Sequence, residues 1–212
     1  MVLVLGGARS GKSRTAEQLA LAGAWPVTYV ATAVAGDEEM AARIAHHKQR
    51  RPAEWRLIEE PYNLPAVFSP SSPPTTFIVD CLTIYISNWL LRLEEAGLSG
   101  TRLEEGVLQQ VDMLLQAARR QPGLVVLVSN ELGQGVVPPY PLGRIFRDIA
   151  GWANQKAAAI ADEVYYCLAG IAIDLKQWQA FPGTPGTPGT PDTPGIPGTP
   201  GIPGSRPGSG NK

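Results

Sequence analysis

Gly6-Gly7-Ala8-Arg9-Ser10-Gly11-Lys12-Ser13 follows directly on the apolar run Val2–Leu5. It leads into Arg14–Ala24, a helical pattern with Ala16, Leu19 and Ala20 on one face. The spacing is G-x-x-x-x-G-K-[ST], set between a strand and a helix. Few local patterns restrict a fold so tightly. Glycines let successive backbone N–H groups turn inward around phosphate oxygens, and the helix start adds the positive end of its dipole. Lys12 is expected to reach the β- and γ-phosphates and Ser13 to hold Mg²⁺. A glycine-rich turn of coincidental spacing is the competing reading, and the strand before and helix after it speak against that.

Such a loop calls for an acidic partner at the end of another strand. Asp80 ends the apolar run Phe77–Val79 and fills that place, although a lone acid there can also cap the next helix. The rest of the chain alternates in the same manner. Val27–Ala31, Arg56–Ile58 and Leu124–Val128 read as strands. Helical patterns cover Glu38–Arg50, the stretch carrying Leu82, Ile86, Trp89 and Leu93, and the stretch carrying Leu103, Val107, Val111, Leu114 and Ala118. A further helix, from about Gly143 to Asp162, is expected to turn Ile145, Ile149, Trp152 and Ile160 inward. Val164–Leu168 and Ile171–Leu175, joined at Gly170, read as an edge hairpin. The expected class is α/β, a mostly parallel sheet with helices on both faces and ligands beyond the carboxyl ends of its strands.

Residues 1–178 form the expected domain, and 179–212 a low-complexity tail. Nine of the 20 prolines and nine of the 23 glycines fall between Pro182 and Gly210. Two readings stand for this tail: a disordered, polyproline-leaning segment, which Asp192 and the short run favour, and a short collagen-like one. Net charge is −1 over 212 residues, so composition offers neither a basic nucleic-acid surface nor a polybasic membrane face. No stretch approaches the roughly 18 apolar residues of a membrane span. The protein is expected to be cytoplasmic, with Cys81 and Cys167 as buried free thiols.

His46 and His47 are the two histidines, adjacent on the helical pattern Glu38–Arg50 and therefore pointing in different directions. His47 shares a side with Met40 and Ile44, whereas His46 lies between Arg43 and Arg50. Nearby cations favour a neutral imidazole, which can attack phosphorus. On spacing alone, a solvated polar face explains the pattern as well. Arg144, Arg147 and Asp148 could line the site, although surface ion pairs are the commoner arrangement, while Glu131 sits at the ligand edge, in a place to contact substrate or a neighbouring subunit.

Together these segments resemble the bifunctional adenosylcobinamide kinase/adenosylcobinamide-phosphate guanylyltransferases of cobalamin biosynthesis. The resemblance rests on GGARSGKSRTAE (6–17), YVATA (29–33), DEEMAARIAHHKQRRPAEW (37–55), VDCLT (79–83), SNELGQGVVP (129–138) and FRDIAGWANQKAAAIADEV (146–164). It implies a P-loop fold of RecA type, assembled as a homotrimer. It implies two reactions: an ATP- or GTP-dependent phosphorylation of adenosylcobinamide, then transfer of GMP from GTP through a guanylylated histidine to adenosylcobinamide phosphate. The modified histidine falls on His46. Nucleotide contacts fall on Gly6–Ser13, Ala31, Thr32, Ala33, His47, Lys48, Gln49, Arg50, Glu59 and Asp80. The position of Asp80 is often glutamate in such proteins, and the tail lies outside the family pattern. A P-loop kinase with one activity and a non-catalytic nucleotide-binding module are the alternatives. The first would keep full activity without His46, and the second would bind GTP without releasing pyrophosphate.

Overall fold

An apolar run of five residues with no polar face is stable only when both of its sides are covered, which is the situation of a central parallel strand. Val2–Gly6 (β1) meets that condition and is buried at every position. In the computed structural model, which describes residues 1–34, 52–70 and 73–179, β1 lies inside a seven-stranded sheet. The other strands are β2 (Val27–Ala31), β3 (Arg56–Glu59), β4 (Thr76–Asp80), β5 (Val125–Asn130), β6 (Glu163–Leu168) and β7 (Ile171–Asp174). Their order is β3-β2-β4-β5-β1-β6-β7. Every neighbouring pair is parallel except β6 and β7, which form the antiparallel edge hairpin. All described residues belong to one compact unit, Met1–Ala180.

Successive side chains of a strand point to opposite faces, and each face finds its own cover. Leu3 and Leu5 of β1, with Phe77, Val79, Val125 and Leu127, meet three helices on one side. These are α2 (Leu82–Glu95), α3 (Gly100–Arg120) and α4 (Pro141–Ile160). Leu82, Ile86, Leu103, Val107, Leu114 and Ile149 fill the layer between them. Each such side chain contributes about 1.5–3 kcal/mol when fully buried. On the other side Val2, Val4, Ile78, Val126 and Val128 meet Ala16 and Ala20 of α1 (Lys12–Leu21). Two alanines on the inner face let α1 sit close to the sheet, and with it the loop that α1 begins.

The structure extends some elements beyond the sequence reading and corrects one side chain. The first helix starts at Lys12 rather than Arg14, because Gly11 turns into the left-handed region and opens it. β5 continues to Asn130, since Ser129 and Asn130 still pair with Leu5 and Gly6. Trp152 was expected to point inward and is 42% exposed. The buried stripe of α4 runs through Ile149, Ala150, Ala153, Asn154 and Ala157, and Trp152 falls at its edge. Small residues carry that stripe, so size misled the helical wheel. The expected helix over Glu38–Arg50 lies outside the described residues.

Candidate active site

The phosphate loop leaves β1 at Gly6 and enters α1 at Lys12. A Cβ on Gly6 would stand 2.4 Å from Ser10 Oγ and 2.6 Å from the Cys167 carbonyl oxygen, so any side chain there displaces the loop. Gly11 has φ +98°, and a Cβ on it would lie 3.0 Å from Gly170 Cα. The Gly7 carbonyl accepts from the Ser10 N–H at 3.3 Å and from Lys12 Nζ at 3.1 Å. The Lys12 ammonium is thereby folded across the loop. Gly11, the N-cap of α1, offers no side chain to the first N–H groups, and the first turn carries no acid. Those donors and the helix dipole suit an anion. Ser10 Oγ is buried without a hydrogen-bond partner among the described residues, which adds a donor inside the same cradle. Ala8 and Arg9 are exposed at the loop's crest, and Ser13 is half-buried on the first turn of α1.

Sheet register aligns the remaining candidates along one edge. Gly6 pairs with Asn130, Ala31 pairs with both Asp80 and Glu59, and all stand at carboxyl ends. β5 separates Asp80 from the loop strand, a lateral distance of two strand spacings, roughly 10 Å. Metal and phosphates can bridge that span. Glu59, exposed at the end of β3, stands four spacings from β1, roughly 19 Å. It therefore meets a different part of a ligand than the loop does.

Asp80 is held rather than left to swing. The Tyr29 hydroxyl, from buried β2, donates to its carboxylate, and the Thr32 N–H donates to its carbonyl at 3.1 Å. Thr32 Oγ1 both donates to the Cys81 carbonyl and accepts from the Cys81 N–H, each at 2.8 Å. Thr32 is fully buried, so its side chain fixes the backbone beside Asp80, while Ala31 is buried and Ala33 half-buried next to it. Burial, helped by the neighbouring Asp80 charge, pushes the Cys81 thiol up to about 12. Both cysteines are buried and free, as expected.

Several residues that the sequence reading passed over complete this edge. Thr83 Oγ1 accepts from the Asn130 N–H at 2.7 Å and contacts Ser129 Oγ at 3.2 Å, joining β4's exit to β5. Asn88 donates to the carbonyls of Thr32 and Pro61, and Asn154 to that of Asn130. The signal for them was available: polar residues inside otherwise apolar helical stretches. Glu131 is tied to the loop strand, its N–H donating to the Gly6 carbonyl at 3.1 Å. Arg147 pairs with Asp148 on the surface as expected. Arg144 instead donates to the carbonyls of Pro138 and Pro139, because the backbone before α4 turns back over its first residues. His46, His47, Lys48, Gln49 and Arg50 lie outside the described residues.

Among the described residues no three His, Cys, Asp or Glu side chains gather as a metal cage. A hydroxyl at Ser13 and a carboxylate at Asp80 are oxygen donors of the kind that could hold Mg²⁺ together with a bound phosphate. The residues fit such an ion. No helix among the described residues is long and apolar enough to cross a membrane.

Residues 2–175 match the family described as cobinamide kinase / cobinamide phosphate guanyltransferase. The chain is 45% identical over 175 residues to the bifunctional adenosylcobalamin biosynthesis protein CobP of Pseudomonas aeruginosa, covering 82% of this chain and 96% of that one. It is 42% identical over 181 residues to the bifunctional adenosylcobalamin biosynthesis protein CobU of Salmonella typhimurium, and 40% identical over 181 residues to that of Escherichia coli. Each alignment covers 83% of this chain and 99% of the relative. With a phosphate loop at its N-terminus and likeness along nearly the whole length of these relatives, the chain belongs to the cobinamide kinase / cobinamide phosphate guanyltransferase family.

Proposed function

We propose that the chain carries out both reactions of its family on adenosylcobinamide, in the cytoplasm and as a homotrimer. In the first, a hydroxyl oxygen of adenosylcobinamide attacks the γ-phosphorus of ATP or GTP. The new P–O bond forms as the bond to the β-phosphate oxygen breaks, and the hydroxyl proton leaves. Little covalent chemistry is asked of the protein in such a transfer; positioning and charge stabilisation dominate. Loop N–H groups and Lys12 take up charge on the phosphates. Ser13 and Asp80 are the residues that would hold Mg²⁺, which neutralises charge on the β- and γ-oxygens when bound.

In the second reaction the imidazole of His46 attacks the α-phosphorus of GTP. A P–N bond forms, the α–β bridging bond breaks and pyrophosphate departs. An oxygen of adenosylcobinamide phosphate then displaces the imidazole, giving adenosylcobinamide-GDP. Arg43 and Arg50, three and four residues away, favour the neutral, nucleophilic imidazole. Ala31, Thr32, Ala33, His47, Lys48, Gln49, Arg50 and Glu59 are assigned to the GTP of this step.

The single observation that carries the reading is the Gly6–Ser13 cradle, shaped so that Gly6 admits no side chain, on one sheet edge with Asp80. Incubation with α-labelled GTP and Mg²⁺ tests it. Wild type and His47→Ala are expected to retain acid-labile label, and His46→Ala to retain none. Label held by the His46→Ala protein contradicts the assignment. Full kinase activity with no label on wild type would indicate a kinase with one activity.

A further inference from the structure

The turn between β6 and β7 leans on the phosphate loop. The Gly170 N–H donates to the Ser10 carbonyl at 2.9 Å, and Gly170 Cα stands 3.0 Å from where a Gly11 Cβ would be. Ala169 and Gly170 make the reversal with φ of +53° and +83°. On either side of them, Leu168 and Ile171 face each other in the hairpin register. These two are 63% and 66% exposed, an apolar pair in solvent next to the turn that touches the loop.

Strand order gives a bound triphosphate a direction. Asp80 stands on the β5 and β4 side of the loop strand, and β6 and β7 stand on the other. A triphosphate seated in the loop with its terminal phosphate on the Asp80 side points its γ end toward β4. Its nucleoside end then leaves toward β6 and β7, where the turn is Leu168-Ala169-Gly170-Ile171 without a charge. A purine is flat, apolar on both faces, and gains from resting on such a surface.

We propose that Leu168 and Ile171 form the platform for the purine base of the phosphoryl donor. The inference rests on the phosphate-loop and Asp80 reading above and extends it to the base. Aliphatic side chains have no donors or acceptors, so the platform does not read exocyclic groups and takes adenine and guanine alike. The edge around Ala31 and Glu59, on the opposite side of the loop, is left for the second reaction.

The test is titration calorimetry of the full chain with Mg²⁺, using ADP, GDP and inorganic tripolyphosphate as ligands. Replacing Leu168→Ser and Ile171→Ser together, two exposed positions, is expected to raise Kd for ADP and GDP by a similar factor, roughly tenfold. Tripolyphosphate, having no base, should bind the variant as it binds wild type. Unchanged ADP and GDP affinity overturns the platform. Equal weakening of tripolyphosphate also overturns it, since the turn would then act through the loop. A smaller assembly by sedimentation with unchanged nucleotide affinity means that a second copy covers the pair, with the same consequence. A wild-type protein that holds none of the three ligands overturns the phosphate-loop reading, and the platform with it.

Discussion

The two ends of the sheet are built from similar strands and held by different means. At the carboxyl end, buried and half-buried side chains fasten backbone across elements: Thr32 to Cys81, Thr83 to Asn130, Asn88 to Thr32, Asn154 to Asn130. At the amino end, the Met1 ammonium and Arg119 meet at Asp162, whose side chain is 54% exposed. Bonds of the first kind fix where groups stand, because an unpaired buried N–H is costly. Those of the second kind are screened by water and contribute little. The difference explains why chemistry belongs to one end. Such anchors are concentrated there; at the other end buried Gln121 also holds backbone, accepting from the Ser69 N–H and donating to the Pro122 carbonyl, beside the exposed charges.

Substitutions at the two ends should therefore behave unlike one another. Gly6→Val has the largest expected effect, since its first carbon falls within 2.6 Å of both Ser10 Oγ and the Cys167 carbonyl oxygen. Calorimetry should detect no tripolyphosphate binding by that variant, and wild-type affinity would count against the cradle. Thr32→Val comes next. It leaves the Cys81 N–H without its buried partner, at a cost of about 1–3 kcal/mol in urea unfolding. Thr32→Ser should recover most of the loss; a wild-type midpoint for the valine variant would show that the clamp is idle.

Asp162→Asn should change stability by less than about 1 kcal/mol, and with a defined pH dependence. Burial raises this carboxyl, but hydrogen bonds from the Met1 ammonium and Arg119 outweigh it and hold it below its ordinary 3.8. A depressed carboxyl stabilises the fold above its unfolded value and loses that contribution as pH falls through the folded one. Wild type and variant should thus differ at neutral pH and converge below about pH 4; a gap that widens in acid contradicts the pairing. The smallest effect is expected at Cys81, protonated because its thiol is pushed to about 12. An aromatic disulfide reagent at pH 8 should leave it unmodified in the native protein.

Much of the fold was legible because its strands are short apolar runs and its loop has fixed spacing. Val27–Ala31 coincides with β2, and the edge hairpin turns at Gly170 as read. The order of strands was not legible. That β5 lies between the loop strand and Asp80 is decided by which faces cover which, and no local pattern carries it. The contact of Gly170 with Ser10 is equally remote in sequence. Trp152 failed for a simpler reason: apolar area was weighed more heavily than the alanine stripe on which α4 packs. At the site, Gly6 and Lys12 were legible as candidates because the loop has a fixed spacing, and Asp80 because it ends an apolar strand. Tyr29 acts through the carboxylate it holds, and holding leaves no motif.

The most direct test of the account is transfer of label from γ-labelled ATP to adenosylcobinamide by wild type and Lys12→Ala, with thermal midpoints measured alongside. On the proposed reading Lys12 acts on phosphate charge; in the structure it donates to the Gly7 carbonyl of its own loop. The midpoint should therefore hardly move, while kcat falls on the order of 10²–10³. A Lys12→Ala protein that phosphorylates adenosylcobinamide at the wild-type rate would contradict the claim that this loop holds the donor.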